Sequence, residues 1–333
     1  MEMHGAPAAP AAPELAARVK NVLRAANARR VTKPTQRLAT KWASLQTDRT
    51  MPYRLQADDT DTTAMLRRIA TEELSFAVEL ARKPEGAAHI HELRKATKKT
   101  RGLLRLVAPR FESFAKENAA LRDAAAGIAQ LRDAEVMRET LQGIAQGSAE
   151  AELMHERLSD VTATALQHEA LETFAQNIAT IRDRAAHWSV IGKGWKALAP
   201  GLSKSYARAQ ARMARAQHDP TDEALHAWRS RTKHHWYHTR LLEPIWPEKM
   251  QGHAQIVDTL GELLGQHHDL AVLAEAAPTH LPHDAARALR HHLRQIQKTQ
   301  EAEAFRLGSR LFAEPPEALA DRWGRWFKLW RAG

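Results

Sequence analysis

The chain has 333 residues, 44% hydrophobic and 26% charged, enough to bury one large core or two modest ones. It has no cysteine, which excludes a disulfide scaffold, thiolate metal sites and cysteine catalysis. The net charge of +10 points to an anionic partner, and it is unevenly placed: residues 1–56 hold ten Lys/Arg against three acids, while the other 277 hold 39 against 36.

Residues 1–17 carry seven Ala and three Pro with little to pack, so they are expected to be disordered. They lack the basic and apolar regions of a signal peptide, and no apolar run approaches the ~20 residues of a membrane span. A cytoplasmic protein is expected, with no membrane partner. The basic stretch continues to about residue 56, so 1–56 is taken as a basic, largely disordered N-terminal extension. At Asp58–Thr63 the composition changes to an acid- and hydroxyl-rich cluster suited to capping a helix.

From there Ala, Leu, Glu, Arg and Gln dominate, and Gly and Pro fall between periodic segments. The pattern predicts helices over 61–83, 87–108, 112–146 and 150–186. A second set is predicted over 203–217, 222–243, 249–276, 284–312 and 315–330. The expected breaks are Lys83-Pro84-Glu85-Gly86, Gly192-Lys193-Gly194, Ala199-Pro200-Gly201, Asp219-Pro220 and Glu243-Pro244. No alternating β-branched run argues for a sheet. The fold class is all-α.

The two sets repeat one another. HELRKATKKTRGLLRLV starts at His91 and HAWRSRTKHHWYHTRLL at His226; both read His-x-x-Arg-x-x-x-Lys, with Arg fourteen residues after the His. Downstream, LRDAEVM and HHDLAVL align Asp133 with Asp269 and Val136 with Val272, at His-to-Asp separations of 42 and 43 residues. A tandem duplication of a helical unit explains both matches.

At 3.6 residues per turn, His91, Arg94, Lys98, Arg101 and Arg105 share an arc of about 80°. His226, Arg229, Lys233 and Arg240 form the same stripe in the second repeat. Rows of like charge destabilise an isolated helix. Either acids on neighbouring helices offset them, as an ion-pair seam, or a polyanion lies between stripes that face each other. Arg forks and compact Lys charges suit phosphate oxygens. Arg208, Arg212 and Arg215 make a further stripe, a solvated face or an extension of the anion cleft.

These residues resemble a known family. HELRKATKKTRGLLR, LRDAEV, LHAWRSRTK and HHDLAVL are similar to the repeat motifs of CHAD (conserved histidine α-helical) domains, over roughly residues 57–330. The resemblance implies two tandem four-helix bundles related by pseudo-twofold symmetry, over 57–190 and 195–331, with a basic cleft between them. It also implies non-catalytic binding of inorganic polyphosphate and recruitment to polyphosphate granules. The binding residues expected are His91, Arg94, Lys95, Lys98, Arg101, Arg105, Arg208, Arg212, His226, Arg229, Lys233, Tyr237 and Arg240. Two departures stand out: Trp236 occupies a position often basic in the family, and His268-Asp269 replaces the usual Arg-Asp.

No catalytic residue, metal or cofactor is expected. His91-Glu92 opens like a zinc-peptidase motif, but Lys95 stands where its second His belongs. His234 and His238 have a metal-pair spacing without an identifiable third ligand. Asp133 and Asp269 suit partners for stripe cations better than catalytic acids. The nine Trp are assigned to core and helix-junction packing. A nucleic-acid-binding protein using the same stripes and the basic N-terminal arm is the alternative, although nearly pure His/Arg/Lys stripes suit bare phosphates better than bases.

Overall fold

A computed structural model describes residues 53–129, 164–280 and 282–333. Among these the regular structure is helical without a strand: α1 (Thr62–Ala81), α2 (Ile90–Val107), α3 (Phe114–Gly127), α4 (Thr164–Ala185), α5 (Trp195–His218), α6 (Asp222–Leu242), α7 (Pro247–His280), α8 (His283–Leu311) and α9 (Pro316–Ala332). No helix among the described residues is long and apolar enough to cross a membrane.

Local chemistry sets most of the boundaries. The Asp61 carboxylate accepts the Ala64 N–H at 2.8 Å and starts α1, inside the cluster expected to cap it. The Thr221 hydroxyl does the same for α6, accepting from Ala224 at 3.1 Å. Between α4 and α5 the chain turns through Gly192 (φ 92°) and Gly194 (φ 55°), a left-handed backbone that glycine adopts without a Cβ clash.

Pro200-Gly201 is the exception. Expected to break the chain, it lies inside α5, which begins at Trp195 instead of near 203. Pro200 forfeits one helical N–H, an interior proline costing about 3 kcal/mol. What offsets it is packing, since Ala197, Leu198, Leu202 and Tyr206 are all buried around it. Gly201 meets α2 so closely that an added Cβ would lie 1.8 Å from the Leu106 carbonyl oxygen.

The described residues fall into two compact units. The larger comprises 53–129, 164–268 and 300–333; the smaller comprises 269–299. In the larger unit α1 packs on α2 and α4, α3 on α2 and α4, and α5 on α6 and α9, while α2 also packs on both α5 and α6. One continuous core results, drawing Leu66, Leu103 and Phe174 from the first half of the sequence and Tyr206, Trp228 and Trp323 from the second. In the smaller unit Leu270, Leu273 and Leu293 bury together between the end of α7 and the start of α8. The tryptophans largely follow expectation: Trp188, Trp228 and Trp323 are core, while Trp246 is 39% exposed and packs edge-on against Trp326.

Part of the basic N-terminal stretch belongs to this core. Tyr53 and Leu55 are buried, and the Leu55 N–H bonds the Leu241 carbonyl at 3.1 Å. Asp133, Val136 and the expected helical stretches of 130–163 lie outside the described residues, as do 1–52 of the extension.

Candidate anion-binding site

The two motif helices, α2 and α6, pack directly against one another. Gly102 lies eleven residues after His91, and Tyr237 eleven after His226. These equivalent positions meet: an added Cβ on Gly102 would lie 2.8 Å from Cβ of Tyr237. His238 locks the crossing, its Nε2 3.0 Å from the Gly102 carbonyl oxygen. Burial pushes this imidazole down to about 4, so it is neutral at pH 7. Among the described residues no group of three or more His, Cys, Asp or Glu is arranged to hold a metal. His235, also buried, bonds His253 at 2.8 Å and stacks on Trp323.

Along α2, His91 and Lys98 are exposed, and Arg94, Lys95, Arg101 and Arg105 are half-buried. Arg94 donates to the Ala125 carbonyl at 3.3 Å and Arg101 to the Asn118 side chain at 3.1 Å, so both reach α3. Lys95 acts on Glu73 of α1, which also takes the ammonium of Lys99 at 2.7 Å. Arg105 donates to the Arg101 carbonyl at 2.9 Å.

On α6 the stripe turns toward α7. Two glycines of α7 make room for it: a Cβ on Gly261 would lie 3.0 Å from Cε of Lys233, and one on Gly265 3.3 Å from Nε of Arg229. The Lys233 ammonium sits 3.5 Å from the buried Asp258 carboxylate and 5.0 Å above the Trp236 ring. Trp236, the departure at a usually basic position, thus serves its own stripe. Arg240 pairs with Glu243 at 2.6 Å. Tyr237 is buried at the crossing, edge-on to Tyr53. His226 is exposed and its ring stands 4.2 Å from that of His268; burial, then the partner imidazole and Arg229, hold His226 below the ordinary value. His268 is lowered by burial, then by Arg229 and His267. His267, buried, bonds Glu301 at 2.9 Å.

The opposite face of α6 carries basic residues that the stripe pattern misses. Arg231 interacts with Arg208 and Arg212 of α5, both exposed, and His234 with Arg105 of α2. Arg105 is pushed down to about 9 by burial and then by Arg101 and Arg231, with Arg208 adding to it. Arg231 is lowered by burial, then by Arg208 and Arg212. His234 is pushed down to about 2 by burial, then by Arg105 and Arg231. Only the spacing of Arg231 from Arg208 across two helices would have marked it, and single-helix periodicity does not carry that.

Residues 65–278 match the family model of the CHAD domain. The chain belongs to the CHAD family. Its fold is similar to that in a crystal structure of the CHAD domain from the plant Ricinus communis, with a TM-score of 0.60 at 16% identity over 80% of this chain and 98% of that one. No curated protein matches the sequence.

Proposed function

We propose that this CHAD domain binds inorganic polyphosphate through the basic faces of α2, α5 and α6 and is carried by that binding to polyphosphate granules. The observation behind this reading is the convergence of basic residues from both sequence repeats on helices that cross at equivalent positions, Gly102 and Tyr237. The meeting of equivalent positions supports a pseudo-twofold relation between the two repeats, with the α2 stripe reaching α3 and the α6 stripe lying against α7. Exposed His91, Lys98, Arg208, Arg212 and His226 form the outer contacts, with Arg94, Lys95, Arg101, Arg105, Arg229, Lys233 and Arg240 half-buried behind them. Tyr237 acts here as the crossing residue, not as a ligand contact.

Charge-assisted contacts to phosphate contribute about 1.5–3 kcal/mol each, and displaced counterions make the affinity salt-dependent. The test is a titration with long-chain polyphosphate and with single-stranded DNA at two salt concentrations. Replacing Arg94, Lys98 and Arg229 with Gln should remove most polyphosphate binding and flatten its salt dependence while the helical content persists. Tighter binding of DNA than of polyphosphate at equal phosphate concentration would overturn the reading in favour of a nucleic-acid partner.

A further inference from the structure

Two imidazoles meet in the core at a place otherwise walled by aromatic rings. His235 of α6 is fully buried and His253 of α7 half-buried, with their Nε2 atoms 2.8 Å apart. Trp323 of α9 stacks on His235 at 5.9 Å between ring centres and meets His253 edge-on at 5.3 Å. Tyr206 of α5 and Phe312, between α8 and α9, stand 5.1 and 6.2 Å from His235. Among the described residues the Nδ1 of His235 has no hydrogen-bond partner. A buried nitrogen left so is a cost that phenylalanine would avoid, so stability at neutral pH does not account for the pair.

Two facing ring nitrogens bond only when one carries a hydrogen and the other a lone pair. A further proton on the facing nitrogen sets N–H against N–H and breaks the bond. On either Nδ1 it leaves a charged ring among aromatic walls. The groups facing the pair do little to hold that charge. Arg322 of α9 opposes it at His253; Glu314 favours it but is bridged to Arg322 at 3.1 Å. His238, three residues along α6, is tied to the Gly102 carbonyl, and Tyr206 spends its hydroxyl on the Leu311 carbonyl at 2.7 Å. Burial, ahead of these neighbours, pushes His253 down to about 4 and His235 well below the ordinary imidazole value.

We propose that the His235–His253 pair is an acid-sensitive latch, which fastens α6 to α7 while one proton lies between the facing nitrogens and opens when each carries its own. Unfolded, both rings take protons below about 6.5; folded, His253 does so only near 4 and His235 is held well below 6.5. The stability that the neutral pair contributes above 6.5 is therefore lost as pH falls through that window. Opening also parts Lys233 of α6 from Asp258, five residues beyond His253 on α7. The latch works whether or not an anion occupies the basic faces.

The test is urea unfolding of the full chain, without added polyanion, at pH 7.5, 6.5, 5.5 and 4.5. Each ring that takes its proton only on unfolding raises the unfolding constant about tenfold per pH unit. His253→Gln keeps an amide able to donate to His235 but cannot titrate. Between pH 6.5 and 4.5 its unfolding constant should rise at least about tenfold less than the parent's. His235→Phe keeps an aromatic ring against Trp323 and strands no nitrogen; it should lose at least as much of the acid sensitivity. Carboxylates contribute alike to all three proteins and cancel in the comparison. Should one variant be too unstable to measure, the other decides; should both be, ring titration in the folded parent, followed by NMR, decides. Equal pH slopes in parent and variants overturn the latch, as does a His253 ring that titrates at the ordinary imidazole value in the folded parent.

Discussion

Gly102 and Tyr237 hold the same place in the two repeats and touch each other, with only 2.8 Å available between an added Cβ on the first and Cβ of the second. Gly102→Ala should therefore destabilise the domain by about 1–3 kcal/mol through overpacking, despite a helix propensity gain of about 1 kcal/mol. Gly201→Ala should be worse, because its clash at 1.8 Å is with the backbone carbonyl of Leu106, which no rotamer change relieves. Denaturant midpoints of the two variants check the order. A Gly102→Ala protein as stable as the parent would mean that the helices do not cross there.

Glu73 is buried and its carboxyl is raised, chiefly by desolvation, against the lowering effect of Lys99. A carboxyl raised in the folded state binds its proton more readily there than when unfolded, so its contribution to stability falls as pH rises through the folded value. Lys99→Gln strands the carboxylate and should cost about 3–5 kcal/mol at pH 7. Below the raised value Glu73 is protonated and needs no cation, so the deficit should shrink at pH 4. Melts of the variant and parent at both pH values measure it, and a pH-independent deficit would contradict the ion-pair account.

His226 and His268 are both held below the ordinary imidazole value, by burial first and then by a neighbouring imidazole and Arg229. A bound polyanion favours their charged forms and raises both. Affinity should accordingly increase as pH falls, most steeply between the free and the bound values. Isotherms at pH 7.5 and 5.5 should show the rise, and the double variant His226→Gln, His268→Gln should flatten it. A pH-independent isotherm for the parent protein would exclude these rings from the site.

Deleting residues 1–50 and deleting residues 1–56 should differ sharply. The longer deletion removes Tyr53 and Leu55 from the core and the Leu55–Leu241 hydrogen bond, each buried apolar side chain contributing about 2–5 kcal/mol. The shorter deletion keeps all of these contacts. Thermal melts and polyphosphate titrations of both truncations check this; equal stability would place Tyr53 and Leu55 outside the fold.

Much of this was legible in residue order. Helical period, the capping cluster around Asp61 and the Gly192-Gly194 turn are local, and each follows from the chemistry of a few neighbouring residues. The matching His-x-x-Arg-x-x-x-Lys segments placed one basic stripe on each motif helix, because a helix of known pitch fixes angles about its own axis.

What surrounds each stripe was decided by tertiary packing. Lys233 meets Asp258, twenty-five positions away, only because Gly261 and Gly265 let α6 lie close to α7. Arg231 lies off the stripe of α6, and it joins Arg105 and Arg208 because α2 packs against both α5 and α6. Pro200-Gly201 reads locally as a break, and the burial around it makes it a crossing. Periodicity assigns a residue to a face of its own helix; which helix covers that face depends on crossings set by contacts a hundred residues apart.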